Sequence, residues 1–170
     1  EIFIEKDDFI ENPPKNFFRL GLGREVRLRY AYFSKCVGVV KDENGKILKV
    51  QCTYDSKTLG GKSPDGRKVK GTIHWVDCNE SVEAEVRLYD RLFSNENPNR
   101  ENEFLEALNA DSCIIKKKAK LEISMKNPME TSYQFERNGY FKKDKKYSNK
   151  EKNVFIRIVS LRDSWAKAKN

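Results

Sequence analysis

Residues 24–33, REVRLRYAYF, alternate with a period of two: Val26, Leu28, Tyr30 and Tyr32 share one parity, Arg27 and Arg29 the other. That period belongs to a β-strand, whose successive side chains point to opposite faces. ILKVQCTY (47–54) repeats it, setting Leu48, Val50, Cys52 and Tyr54 against Lys49, Gln51 and Thr53. Between the two runs, KDENGK (41–46) holds Asn44-Gly45, a pair that tolerates positive φ and favours a hairpin turn. Residues 24–54 are therefore expected to form an antiparallel pair that turns near position 44.

The same rule extends along the chain. In DGRKVKGTIHWV (65–76), Asp65-Gly66 predicts a turn. A strand is expected after it, with Val69, Gly71, Ile73 and Trp75 inward and Lys68, Lys70, Thr72 and His74 outward. VEAEVRLY (82–89) turns Val82, Ala84, Val86 and Leu88 to one face. CIIKKKAKLEIS (113–124), SYQFERNGYF (132–141) and VFIRIVSL (154–161) predict three more strands, the last two separated by Asn138-Gly139 and DKKYSNKEKN. Phe104, Leu105 and Leu108 suit one short helix behind a polar loop at 94–103. No helix–strand alternation is visible, which argues against a parallel sheet and for an all-β barrel or pair of barrels.

Composition narrows the function. The chain has 170 residues, with 34 lysines and arginines against 26 acids, for a net charge of +8. Such a balance points to a polyanionic partner or to a lysine-rich, well-solvated surface. No apolar run approaches the roughly 20 residues that cross a bilayer, and no stretch reads as a secretory leader. The first residue is Glu1 and not methionine, so a piece of a longer protein is expected. Cys36, Cys52, Cys78 and Cys113 are scattered with no C-x-x-C spacing, which argues against zinc and for reduced thiols in the cytoplasm.

Catalysis finds no foothold. His74 is the only histidine and sits on a strand, and no serine or cysteine lies in a nucleophile elbow. Cys78 shares the strand parity of His74 and reads as a structural thiol. Gly60-Gly61-Lys62-Ser63 lacks the first glycine of a phosphate loop and has no helix after it. Basic groups are abundant instead. Arg27, Arg29, Lys68 and Lys70 project from strand faces, and KKKAK (116–120) and KKDKK (142–146) form patches that serve equally as solvated loops or as RNA contacts. Phe17, Phe18, Tyr30, Tyr133, Phe135 and Tyr140 lie nearby; core packing is expected for all but Phe17 and Phe18.

Several of these motifs together resemble a known family. RLGLGREVRLRYAY, CTYD, DGRKVKGTIHWV, EVRLYDRLF, QFERNGYF and LRDSWAK are similar, in order and spacing, to the C-terminal anticodon-binding region of the glutaminyl-tRNA synthetases. The likeness runs from about residue 2 to residue 168. Archaeal and eukaryotic-type glutamyl-tRNA synthetases share the architecture, but EVRLYDRLF and QFERNGYF look more like the glutaminyl branch. A non-catalytic barrel that grips ribosomal RNA is the alternative of a different class.

The resemblance implies two antiparallel β-barrels, one inserted in the other. The distal barrel would take residues 20–112, and the proximal barrel residues 1–19 and 113–170. The proximal barrel's first strands, with one arginine that reads the middle anticodon base, are expected before Glu1. The resemblance also implies a partner, the anticodon loop of glutamine tRNA, and a parent enzyme, a monomeric cytoplasmic glutamine–tRNA ligase. That enzyme's ATP and Mg²⁺ would belong to a catalytic domain outside this chain, leaving no catalytic or metal site here.

By the same resemblance Arg19 contacts the third anticodon base, Arg29 lies near the first, and Gln134 helps to hold the middle one. Arg137 follows as a phosphate or base partner. Phe18 stands where the family often has lysine and offers stacking instead; Arg27, Lys68 and Lys70 are further candidate RNA contacts. Ile156 and Ile158 replace polar residues of the family's VFNRTV pattern, and Glu80 replaces a second histidine. Strict alternation puts Gln134 and Arg137 on opposite faces, so both can touch RNA only if a bulge or strand end intervenes.

Overall fold

The runs found by their period of two do form strands. The computed structural model, which describes residues 1–95, 105–129 and 132–161, holds them in three sheets. The fold is nearly all-β and mostly antiparallel, and the chain divides into two units at Cys78/Asn79.

The first unit contains β1 (Ile2–Ile4), β2 (Glu25–Leu28), β3 (Phe33–Lys41), β4 (Ile47–Asp55), β5 (Thr72–Ile73) and β6 (Trp75–Asp77). Four of them form a sheet in the order β4-β3-β2-β5, while β1 pairs with β6. Leu20, Val26, Cys36 and Ile73 make its buried core, flanked by Ile4, Phe9, Leu28 and Val50. The Asn44-Gly45 turn forms as expected: Gly45 takes φ +78°, and the Asp42 carboxylate accepts from the N–H groups of Asn44 at 3.0 Å and Lys46 at 2.8 Å.

Two expectations about this unit are corrected. REVRLRYAYF is not one strand, because β2 stops at Leu28 and β3 starts at Phe33. A tight turn lies between, closed by Ala31 N–H to the Leu28 carbonyl and Leu28 N–H to that of Tyr32, both at 2.9 Å. Residues 24–54 thus make three strands, and Tyr30 leaves the core face to stand 80% exposed. The strand expected across residues 68–75 is also broken. Residues 67–71 are not in a strand, β5 runs parallel to β2, and after His74 the chain turns to pair with β1. The break shifts parity by one, so Val76 is buried and Trp75 only half-buried. Its indole N–H needs a partner and finds the Arg29 carbonyl at 2.9 Å.

The second unit orders β7 (Val82–Tyr89), β8 (Cys113–Leu121), β9 (Ser132–Phe135), β10 (Gly139–Lys143) and β11 (Asn153–Val159) as β8-β7-β11-β10-β9. Ala84, Val86, Met125, Phe141 and Phe155 form its core, with Tyr133 and Phe135 packed against them. Phe135 stacks on Phe141 with ring centroids 4.4 Å apart. SYQFERNGYF, read as one strand, is itself a hairpin with Gly139 opposite Phe135. β7 is laddered to β8 and β11. Of the expected helix, Phe104 lies outside the described residues; Leu105 to Ala107 form a turn and Leu108 bridges to Phe93.

Two neighbours run parallel, β2 with β5 and β7 with β11. Both pairs are joined by long connections. Only a short hairpin forces strands to be antiparallel; a long crossover can return the chain in either sense.

Close packing fixes β5 against the segment before β2. A Cβ built on Gly71 would lie 2.2 Å from the Phe18 carbonyl oxygen and 3.3 Å from Val26. Gly71→Ala is expected to destabilise the chain by about 1–3 kcal/mol, as overpacking does, with the loss read from chemical denaturation. In the second unit Glu85 is 5% exposed and accepts from Lys152 Nζ at 2.6 Å and Arg87 Nε at 2.7 Å. Lys152 first, then Arg87, holds its carboxyl below the ordinary range. A lowered folded value stabilises above the unfolded pKa of about 4.3 and is lost as pH falls through the folded one. Glu85→Gln should therefore cost about 1.5–3 kcal/mol at pH 7, and the gap from wild type should narrow as pH falls below the unfolded value and through the lowered folded one. A gap independent of pH would show that the carboxylate charge is not what matters.

Candidate nucleic-acid interface

Arg29 is held by its backbone before its side chain does anything. Its N–H donates to the Ile73 carbonyl at 3.0 Å, and its own carbonyl accepts from the Trp75 indole at 2.9 Å. The segment 65–76 is thus what positions the arginine. The half-buried guanidinium lies 4.7 Å from the centroid of the Tyr30 ring and donates to the Tyr30 hydroxyl at 3.2 Å. Tyr30 takes φ +60°, a left-handed backbone that costs a residue with a Cβ about 1–2 kcal/mol.

Arg19 is likewise half-buried and directed. Its Nη1 sits 3.0 Å from the carboxylate of Asp8, which is fully buried, and donates to the Asp7 carbonyl at 3.1 Å. Asp8 receives this cation because the short 3₁₀ turn Lys6–Asp8 folds back, with Leu20 N–H donating to the Asp8 carbonyl at 3.0 Å. Arg24 fixes the preceding loop. Its guanidinium donates to the carbonyls of Pro13 and Pro14, each at 3.1 Å, and to that of Phe17. Phe18, beside Arg19, is 54% exposed, and Lys70 Nζ lies 5.0 Å from its ring centroid. Lys68 and Lys70 are both exposed.

Arg27 is half-buried, its guanidinium 5.4 Å from the Phe33 ring centroid. A Cβ at Gly61 would fall 2.7 Å from Arg27 Cδ, and Gly61 has φ +83°. Gly61 thus makes room for this side chain. Arg67 reaches the same ring at 5.2 Å, but its donors are taken by Glu25 at 3.0 and 3.1 Å, Asp55 at 2.7 Å and Asp65 at 2.7 Å. These carboxylates raise its pKa further; in return Arg67, then the Lys57 N–H, lowers that of Asp55, and the Ser63 hydroxyl, then Arg67, lowers that of Asp65. Arg67 is a structural cation.

In the second unit Gln134 is exposed on β9, opposite Tyr140, which is 44% exposed. β9 ends at Phe135, and Arg137 occupies the turn at φ +67°. The strand end required for both side chains to be used is therefore present. Asn138 N–H closes the turn on the Phe135 carbonyl at 2.9 Å.

The first unit thus gathers Phe18, Arg19, Arg27, Arg29, Lys68 and Lys70, and the second carries Gln134 and Arg137. Sequence reading missed Tyr30 and Trp75 by assigning both to the core, and missed the supports Asp8, Arg24 and Arg67. No residue of the RYAY run is a strong turn former, so nothing local marks the corner at 29–32. Core packing holds for Tyr133 and Phe135 but not for Tyr30 or Tyr140.

The family described as "tRNA synthetases class I (E and Q), anti-codon binding domain" matches residues 1–55 and again 72–144. The glutamine–tRNA ligase of Bradyrhizobium diazoefficiens is 52% identical over 168 residues, 98% of this chain and 30% of the relative. That of Nitrobacter winogradskyi is also 52% identical over 168 residues, with the same shares covered. That of Proteus mirabilis is 51% identical over 168 residues, again 98% of this chain and 30% of the relative. The chain spans about 30% of the length of these relatives. With two matches to one family that between them take in both units, and half-identity along nearly its whole length, the chain belongs to the anticodon-binding domains of the class I (E and Q) tRNA synthetases.

Proposed function

We propose that this chain reads the anticodon loop of glutamine tRNA on behalf of a glutamine–tRNA ligase. The observation that carries the reading is Arg29, whose backbone is locked by Ile73 and Trp75 while its guanidinium stands on an exposed ring. A base reader needs that combination: a planar fork of donors, aimed in advance, at the edge of solvent. Arg19 meets the same description, with Asp8 as its anchor.

In this reading Arg19 contacts the third anticodon base and Arg29 the first. Gln134 holds the middle base with an amide that both donates and accepts, and Arg137 takes a neighbouring phosphate or base edge. Phe18 offers its ring to a splayed base, since single-stranded bases are read after they unstack. Arg27, Lys68 and Lys70 supply general attraction to phosphate. The parent enzyme, a cytoplasmic monomer, would bind ATP and Mg²⁺ in its catalytic domain and attach glutamine there. We retain the two-barrel description, distal 20–112 and proximal 1–19 with 113–170, as part of the proposal. That the relatives above carry the name glutamine–tRNA ligase favours glutamine tRNA over glutamate tRNA.

Binding of the chain to anticodon stem-loops, followed by fluorescence anisotropy at several salt concentrations, tests this. The glutamine stem-loop should bind best, and affinity should fall steeply with salt as counterions are released. Arg19→Ala and Arg29→Ala should each lose about 5- to 150-fold on the cognate loop, the worth of a bidentate base contact, and much less on non-cognate loops. Equal loss on every loop would reduce both arginines to phosphate neutralisers. A footprint on ribosomal RNA with none on tRNA would favour the ribosomal alternative. Trp75→Phe removes only the indole donor to Arg29, and should weaken discrimination at the first base while leaving the third unchanged.

A further inference from the structure

The turn between β2 and β3 spends its most demanding backbone position on a residue the fold does not need there. Tyr30 has φ +60° and is 80% exposed. Glycine or asparagine would hold that position with less strain. The ring contributes little to packing, since most of its surface faces solvent. It meets Arg29 twice, accepting from the guanidinium at its hydroxyl and lying against it with one ring face.

We propose that Tyr30 is a stacking platform for one unpaired nucleobase of bound RNA. A ring has two faces. Arg29 covers one, and the exposure of Tyr30 leaves the other open. A base seated there would complete a base–tyrosine–guanidinium stack, with the cation behind the ring drawing on the same π-system. The platform is also rigid. The turn is closed by the Leu28–Tyr32 and Ala31–Leu28 bonds and bolted to Ile73 and Trp75, so little freedom is lost when a base arrives. The chain's charge of +8 and the cation behind the ring favour a flat, polyanionic ligand over an apolar peptide. Phe18 with Lys70 repeats the pairing of ring and cation, but with lower exposure and no left-handed backbone.

This inference rests on the RNA-reading function proposed above, and its test keeps the two apart. The 170-residue chain is titrated with the glutamine anticodon stem-loop carrying a fluorescent base analogue at each loop position in turn. Wild type should quench one position. Tyr30→Phe keeps the ring and should retain the quench, with affinity within about twofold of wild type. Tyr30→Gly removes the ring and the backbone strain together. It should lose the quench and bind about 5- to 100-fold more weakly, as loss of a stacked base does, while unfolding no more readily than wild type. Wild-type affinity and quench in Tyr30→Gly would overturn the platform and leave the proposed function standing. A loss in Tyr30→Phe as large as in Tyr30→Gly would also overturn it, because Tyr30 would then serve only to orient Arg29 through its hydroxyl. No binding of wild type to any anticodon stem-loop would remove the function and the platform together.

Discussion

The parallel contact between β2 and β5 is the constraint on which the first unit depends. Arg27 N–H donates to the Gly71 carbonyl at 2.8 Å and Arg29 N–H to that of Ile73 at 3.0 Å. Gly71 lets the Phe18 carbonyl come closer than any side chain would allow. Three stretches far apart in sequence, around residues 17–19, 24–32 and 71–76, are joined by these few groups. Each stretch carries a candidate RNA contact or the support of one. A long connection must close before such a contact forms, and that entropy is offset only if the closed arrangement is well bonded. The buried core takes Leu20 from just after the first stretch, Val26 and Ile73 from the other two, and Cys36 from β3.

Charge is sorted by the same architecture. Counting lysines and arginines gives an excess of cations but does not say which of them face RNA. Arg67, in a basic loop, is committed to Glu25, Asp55 and Asp65 and lies near the buried Phe33 ring. Phe33 is fixed in turn by Thr58, whose hydroxyl accepts the Phe33 N–H at 2.8 Å and donates to the Asp55 carbonyl at 2.6 Å. Arg87 is similarly tied to Glu85 and lies 4.0 Å from the Tyr147 ring centroid. Three carboxylates converge on Arg67 and one buried carboxylate holds Arg87, so both guanidinium groups are structural.

Much of the fold was legible because strand alternation and Asn-Gly turns are local properties. β4, β7, β8 and β11 lie where the period of two placed them, and the turn at 42–46 is the predicted one. What was not legible came from pairing partners distant in sequence. The corner at Tyr30 preserves the alternation of apolar and polar residues, so the pattern runs through it unmarked. The stagger at His74 follows from β5 and β6 pairing with different strands, which no residue of GTIHWV announces. The Phe135–Gly139 turn held a visible Asn-Gly, but the strands beside it are short enough to pass for one. The candidate site divides in the same way. The identity of Arg19, Arg29, Gln134 and Arg137 came from motif resemblance, whereas their anchors are tertiary and have no sequence signature.

Those anchors decide whether an arginine can discriminate at all. A free arginine side chain carries about 2 kcal/mol of rotamer entropy, comparable with the roughly 1–3 kcal/mol that separates a correct base from a wrong one. A flexible arginine would lose part of that margin on ordering, and would also find alternative acceptors on the wrong base. Arg19 against Asp8 and Arg29 over Tyr30 have already lost much of that freedom in the folded chain. On the proposed reading their donors would meet a base in one geometry, so a misplaced acceptor would go unmatched. Lys68 and Lys70 are exposed and lack such a fork, so on the proposed reading they would add affinity for phosphate without adding selectivity. On the proposed reading, the scaffold's rigidity at 28–32 is part of the specificity and not merely its support.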